Sequence, residues 1–224
     1  MSRPHAITKR SPRKIGSELS THQLVLATRN SGKIREFRRI LDEIAPGEIE
    51  LIGLEEFPHL VDVEETGSTF LENALLKART VSQETGLPAI ADDSGLCIDA
   101  LGGSPGIFSA RWSGVHGDDM ANIKKVLAEL DEVPEMERGA HFTCVAAFAT
   151  VDGTYITEEG ILEGEILRSP RGVHGFGYDP IFLPRGSELS LAELDAATKD
   201  VISHRGQSLR AIAPRVTQLL GALR

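Results

Sequence analysis

The stretch QLVLATRNSGKIREFRRILDEI, residues 23–44, decides the fold class. Gln23–Ala27 is a short apolar run rich in β-formers, and TRNSGK after it is polar. Ile34, Phe37, Ile40, Leu41 and Ile44 then recur at helical spacing. Strand, polar turn and helix in this order open an α/β fold. Working outward, EIELIGL (48–54) reads as a second strand and VDVEETGS (61–68) as an acidic loop. Thr69 and Glu72 have the spacing of a capping box, and Phe70, Leu71, Ala74, Leu75, Ala78 and Val81 continue an apolar face to a stop at Gly86. Residues 117–130 predict another amphipathic helix, and 141–150 and 153–167 predict two strands joined by a Val-Asp-Gly-Thr turn. A glycine-rich loop, SPRGVHGFGYDP, leads into IFLP, and the remainder from about Ser190 is helical, with a kink or restart expected at Pro214. Early alternation followed by a hairpin means a mixed central sheet flanked by helices, with no linker between independent domains.

Composition narrows the class. The 224 residues are 41% hydrophobic and 25% charged, which suits a folded domain with a full core. Five of the 24 basic residues and only one of the 33 acidic ones fall in Met1–Gln23, so the remainder carries −13. Residues 1–22 read as a flexible basic extension, and 23–224 as the folded unit. An acidic body argues against a long nucleic-acid interface but leaves room for a small anion held by local cations. Cys97 and Cys144 are too few for a disulfide framework or a zinc site, and suit a reducing cytoplasm. No apolar run has transmembrane length, and the N-terminus lacks the hydrophobic segment of a secretory signal.

Four stretches carry candidate chemistry. ATRNSGK (27–33) joins a strand to a helix, where backbone N–H groups and Lys33 suit phosphate; it fails the Walker A pattern at Ala27 and Ile34. AIADDSGL (89–96) puts Asp92 and Asp93 after an apolar run. The stretch reads either as a turn or as a strand end whose paired charges are relieved by a cation or a shared proton. Glu64 and Glu65 precede a helix on which Asn73 and Lys77 share a face. Lys199, His204 and Arg205 gather at a helix start capped by Ser203, against the dipole's preference for anions. Strand ends of α/β sheets commonly converge on one crevice, which would unite these stretches.

The segments LATRNSGK, EETGSTFLENALLKAR, ADDSGLCIDALGGSPGIFSARWSG, GFGYDPIF and SHRGQSLR occur in the order seen in the inosine/xanthosine triphosphate pyrophosphatase family, and the chain resembles it from about Leu24 to Leu220. The resemblance implies an elongated mixed sheet in two lobes with the active site between them, a homodimer, and Mg²⁺-dependent hydrolysis of ITP, dITP and XTP to the monophosphate and pyrophosphate. It implies that Asp93 is the general base and, with Glu64, a metal ligand; Glu65 is close enough in sequence to compete for that role. Thr28, Arg29, Asn30, Ser31, Gly32 and Lys33 match the phosphate loop. Arg29 stands where the family usually has glycine. Ser94 and Lys199 match substrate contacts, Phe176, Gly177, Tyr178 and Asp179 the loop enclosing the base, and His204 and Arg205 the residues facing the purine. The SHR motif argues against the related Maf-like pyrophosphatases.

Overall fold

The computed structural model describes residues 21–223. The basic extension therefore lies outside the described residues, except that His22 already opens the first strand. The strands are β1 (His22–Leu26), β2 (Ile49–Gly53), β3 (Ala89–Ile98), β4 (Gly139–Ala149), β5 (Tyr155–Ile166) and β6 (Phe182–Pro184). They form one sheet in the order β2-β1-β3-β4-β5-β6. The first three are mutually parallel and β3 to β6 antiparallel. The mixed α/β sheet expected from the sequence is thus present. Five helices accompany it among the described residues: α1 (Ser31–Ile44), α2 (Phe70–Thr85), α3 (Asp119–Glu129), α4 (Ala196–Ile202) and α5 (His204–Ala222).

The two-residue period of the strands sorts side chains to opposite faces. Leu24, Leu26, Ile90 and Phe148 pack with Phe37 and Ile40 of α1 and Leu209 and Ile212 of α5. Val25, Ala89, Ala91 and Ala147 pack with Ala74, Ala78 and Val81 of α2. The alanines on this second face let α2 lie close to the sheet. A third cluster, around Leu96, Ile123, Tyr178 and Phe182, joins α3 and β6 to the far end of the sheet.

One topological feature creates the site. β1 pairs with β3 only at Val25↔Ala89 and Leu26↔Ile90, and Ala27 N–H donates to the Ile90 carbonyl before the chain turns into α1. β3 runs on to Ile98 with β4 alone beside it. Its other edge is left uncovered by β1 from Asp92 onward, and a crevice opens there, reaching both faces of the sheet.

Three local expectations are corrected. Asp92–Ser94 is neither a turn nor a strand end: both aspartates sit mid-strand, opposite Ala146 and Val145 of β4. Pairing with the long β4 overrides the turn preference of Asp-Ser-Gly. Pro214 does not interrupt α5, which continues to Ala222. Ala213 and Val216 are buried there, so packing outweighs one missing backbone donor. The capping box is widened by one residue: the Thr69 hydroxyl accepts from Glu72 N–H, and the Glu72 carboxylate reaches back chiefly to Ser68 N–H and hydroxyl.

Candidate active site

β3 aims its two adjacent carboxylates in opposite directions, which answers how they coexist. Asp93 faces α2. Its Oδ1 lies 3.1 Å from Lys77 Nζ, and its Oδ2 accepts from Asn73 Nδ2 at 3.2 Å. Lys77 also reaches Glu65 Oε1 at 2.8 Å, and Arg111 Nη1 reaches Glu65 Oε2 at 3.0 Å. Arg111 is delivered by a 3₁₀ segment, Gly106–Arg111, which packs on β3 at Gly95; a Cβ there would come within 2.3 Å of the Gly106 carbonyl oxygen. Burial pushes the Asp93 carboxyl up and Lys77 only partly offsets it. Burial is outweighed for Glu65 by Lys77 and Arg111, which bring it down to about 2.

Asp92 faces the α1/α5 side and is wholly buried. Lys33 Nζ lies 3.0 Å from its Oδ2, and Arg205 donates to the same oxygen from Nε and Nη2 at 3.1 and 3.0 Å. These cations overcome the burial that would raise its carboxyl and hold it far below the usual range. Arg205 also donates to Glu36 from Nη1 and to Ser94 Oγ at 2.8 Å, so four hydrogen bonds lock the guanidinium. Glu36 reaches Lys199 Nζ at 2.9 Å, and Lys199 in turn holds Asp179. Against burial, Arg205 and Lys199 bring Glu36 down to about 2, whereas burial dominates at Asp179 and pushes it up.

Glycine and caps put these charges in place. Gly160 of β5 lets the start of α5 touch the sheet; a Cβ would lie 2.1 Å from the His204 carbonyl oxygen. Ser203 accepts from Gly206 N–H as the N-cap, and Lys199 occupies the last turn of α4, where a cation suits the dipole. The adverse charge at the start of α5 is answered by Asp92 and Glu36. His204 is buried, stacked on Phe142 with centroids 4.6 Å apart, and kept neutral by burial and by the Arg205 charge beside it. Its Nδ1 has no hydrogen-bond partner among the described residues.

A cavity of about 660 Å³ connects the two halves. It is lined by Thr28, Arg29, Asn30, Lys33, Glu64, Glu65, Asp93, Ser94, Phe176, Gly177, Tyr178, Asp179, Lys199, His204 and Arg205, together with Lys77, Arg111 and Phe142. Ser31 and Gly32 are not in that lining: Ser31 is exposed at the helix start, and Gly32 backs onto the Phe176 ring. Asn30 spends its side chain capping α1, accepting from Gly32 and Lys33 N–H. Arg29 turns to Asp62 and the Leu60 carbonyl; no residue but glycine has positive φ among those described, so the loop does without the family's glycine. Phe176 lies beside Lys199 and Arg205, its ring centroid 4.8 Å from Lys199 Nζ. Tyr178 belongs to the core, its hydroxyl donating to the Ser109 carbonyl. Glu64 is exposed on the cavity wall, while Glu65 is linked to Asp93 through Lys77.

The sequence reading passed over Glu36 and Arg111 as site residues. Glu36 had a signal: it falls on the buried stripe of α1 beside Phe37 and Ile40, where a lone carboxylate needs a buried partner. Arg111 lies within the quoted segment ADDSGLCIDALGGSPGIFSARWSG, but no local pattern marks it out, because its approach to Glu65 depends on the packing of two distant segments.

Residues 24–215 match the model of the Ham1 family. The dITP/XTP pyrophosphatase of Streptomyces avermitilis is 54% identical over 89% of this chain and 99% of its own length, and that of Nocardia farcinica 47% over 88% and 96%. The HAM1 protein of Coxiella burnetii superposes with a TM-score of 0.79 at 44% identity, covering 88% of this chain and all of its own. The nucleoside-triphosphatase (dITP/XTP pyrophosphatase) of Mycobacterium abscessus gives 0.70 at 46%, covering 86% and 99%. With the family model matching residues 24–215 and relatives at about half identity over nearly their whole length, the chain is a member of the Ham1 family.

Proposed function

We propose that this protein is a dITP/XTP pyrophosphatase, hydrolysing ITP, dITP and XTP to the nucleoside monophosphate and pyrophosphate. One observation carries the reading: one cavity joins the cations Lys33, Lys77 and Arg111 and the carboxylates Glu65 and Asp93 to a neutral, buried His204 stacked on Phe142, with Arg205 and Phe176 in the same lining. The first group suits a triphosphate and the second a purine base. The names of the relatives support the same substrates.

In this reading Lys33 and Lys77 meet phosphate oxygens, with Thr28 and the capped start of α1 beside them. Asp93 takes the proton of the attacking water, the role in which a positioned carboxylate contributes about 10²–10⁴-fold. His204 and Phe176 bound the base. Arg205, already fixed by Asp92, Glu36 and Ser94, presents its edge at a set position. Lys199 acts with Asp179 at the same end.

The donors suit Mg²⁺, a hard cation ordinarily held by one or two carboxylates plus phosphate oxygens and water. Asp93 with Glu65 or Glu64 provides such oxygens, and the link through Lys77 favours Glu65. Bound Mg²⁺ would neutralise charge developing on the phosphates. A homodimer acting in the cytoplasm completes the proposal, on the strength of the family resemblance.

The test is pyrophosphate release from ITP, dITP, XTP, ATP, GTP and dTTP, with Mg²⁺ or EDTA. Cleavage of the first three only, abolished by EDTA and reduced by about 10²-fold or more in Asp93→Asn, is expected. Preferential cleavage of dTTP, or full turnover by Asp93→Asn, would overturn it.

A further inference from the structure

Every oxygen of Asp93 and Glu65 is occupied within the protein. Asp93 is held by Lys77 and Asn73, Glu65 by Lys77 and Arg111. Two carboxylates and two cations therefore balance where a metal and a polyphosphate are to bind. A metal cannot reach Glu65 without competing with a cation; if it does, Lys77 keeps Asp93, whereas Arg111 has no other acidic partner among the described residues. Arg111 has room to move, its side chain being about one-third exposed (32%) on the cavity wall.

We propose that Arg111, together with Lys77, is an exchangeable counter-cation: it holds Glu65 in the free protein, yields that carboxylate to the divalent metal, and turns to the phosphate chain. This rests on the pyrophosphatase reading and adds Arg111 as a positioning residue that becomes a substrate contact. The free protein is thereby kept from binding metal tightly until a polyphosphate arrives to receive the released cations. The reciprocity is thermodynamic: whatever the anion gains from the metal, the metal gains from the anion.

The test uses the full-length protein, with Mn²⁺ binding followed by electron paramagnetic resonance in the absence of nucleotide and Mg²⁺-pyrophosphate binding followed by calorimetry. In Arg111→Gln, Mn²⁺ should bind about tenfold tighter and pyrophosphate about tenfold weaker, the scale of one charge-assisted hydrogen bond. A general loss of site structure would weaken both. Arg111→Lys should return both affinities toward wild type and carries the test if the glutamine variant folds poorly. In a Glu65→Gln background the Mn²⁺ gain from Arg111→Gln should vanish, which a diffuse field effect would not do. Unchanged or weaker Mn²⁺ binding, unchanged pyrophosphate binding, or a gain that survives Glu65→Gln overturns the exchange. Neither measurement needs turnover: opposed shifts without ITP cleavage would sink the enzymatic reading alone, and cleavage without opposed shifts the exchange alone.

Discussion

Replacing Glu36 by glutamine probes the buried network that fixes Arg205 and Lys199. Glu36 accepts from both cations and is 3% exposed. Its carboxyl drops from the ordinary 4.5 to about 2, because Arg205 and Lys199 outweigh the cost of burial. A drop of that size corresponds to about 3 kcal/mol of folding stability at neutral pH. The sign follows from the depressed value: the contribution is complete above the unfolded pKa of 4.5 and disappears as the pH falls through about 2. At pH 7, Glu36→Gln should therefore lose about 3 kcal/mol, in line with breaking one partner of a buried pair. At pH 3 wild type has itself lost about 2 kcal/mol of this contribution, so the gap between the two proteins should narrow to about 1 kcal/mol. Urea unfolding of both at pH 7, 5 and 3 reads the difference directly. A gap that stays constant with pH would show that the variant acts through shape alone and would refute the electrostatic account.

Two further substitutions test the placement of the site. Gly160→Ala puts a methyl 2.1 Å from the His204 carbonyl oxygen, so α5 must move off β5. A stability loss of about 1–3 kcal/mol should appear in thermal unfolding, with weaker binding of ITP in the same variant. Arg138 is buried and donates to the Leu130, Ile166 and Leu167 carbonyls at 2.6, 2.7 and 3.1 Å, binding the end of α3 to β5. Arg138→Leu strands these acceptors and should cost about 3 kcal/mol or more in denaturant unfolding.

Much of this protein follows from local sequence. Strand-forming runs, helical stripes and the caps Thr69, Gly86 and Ser203 are set by neighbours within a few residues, and the structure keeps them. The motifs at Lys33, Lys199 and Arg205 stand out because charged groups punctuate apolar runs near helix ends, and Asp93 because a charge pair follows an apolar run. Where the local rules misled, a distant partner had intervened. β4 held Asp-Asp-Ser-Gly in an extended strand, and packing carried α5 past Pro214. Which side chains meet was also decided at a distance. The period of β3 sends Asp92 to Arg205, 113 residues away, and Asp93 to Lys77 on the opposite face. Glu36 joins Arg205 across 169 residues, and Arg111 reaches Glu65 only because Gly95 admits the 3₁₀ segment. Sequence alone determined the elements and the chemical types of the site, because these depend on short-range backbone and burial preferences. Only the tertiary structure decided which charge answers which, because pairing energy depends on distance through space and on burial, neither of which is written in the order of residues.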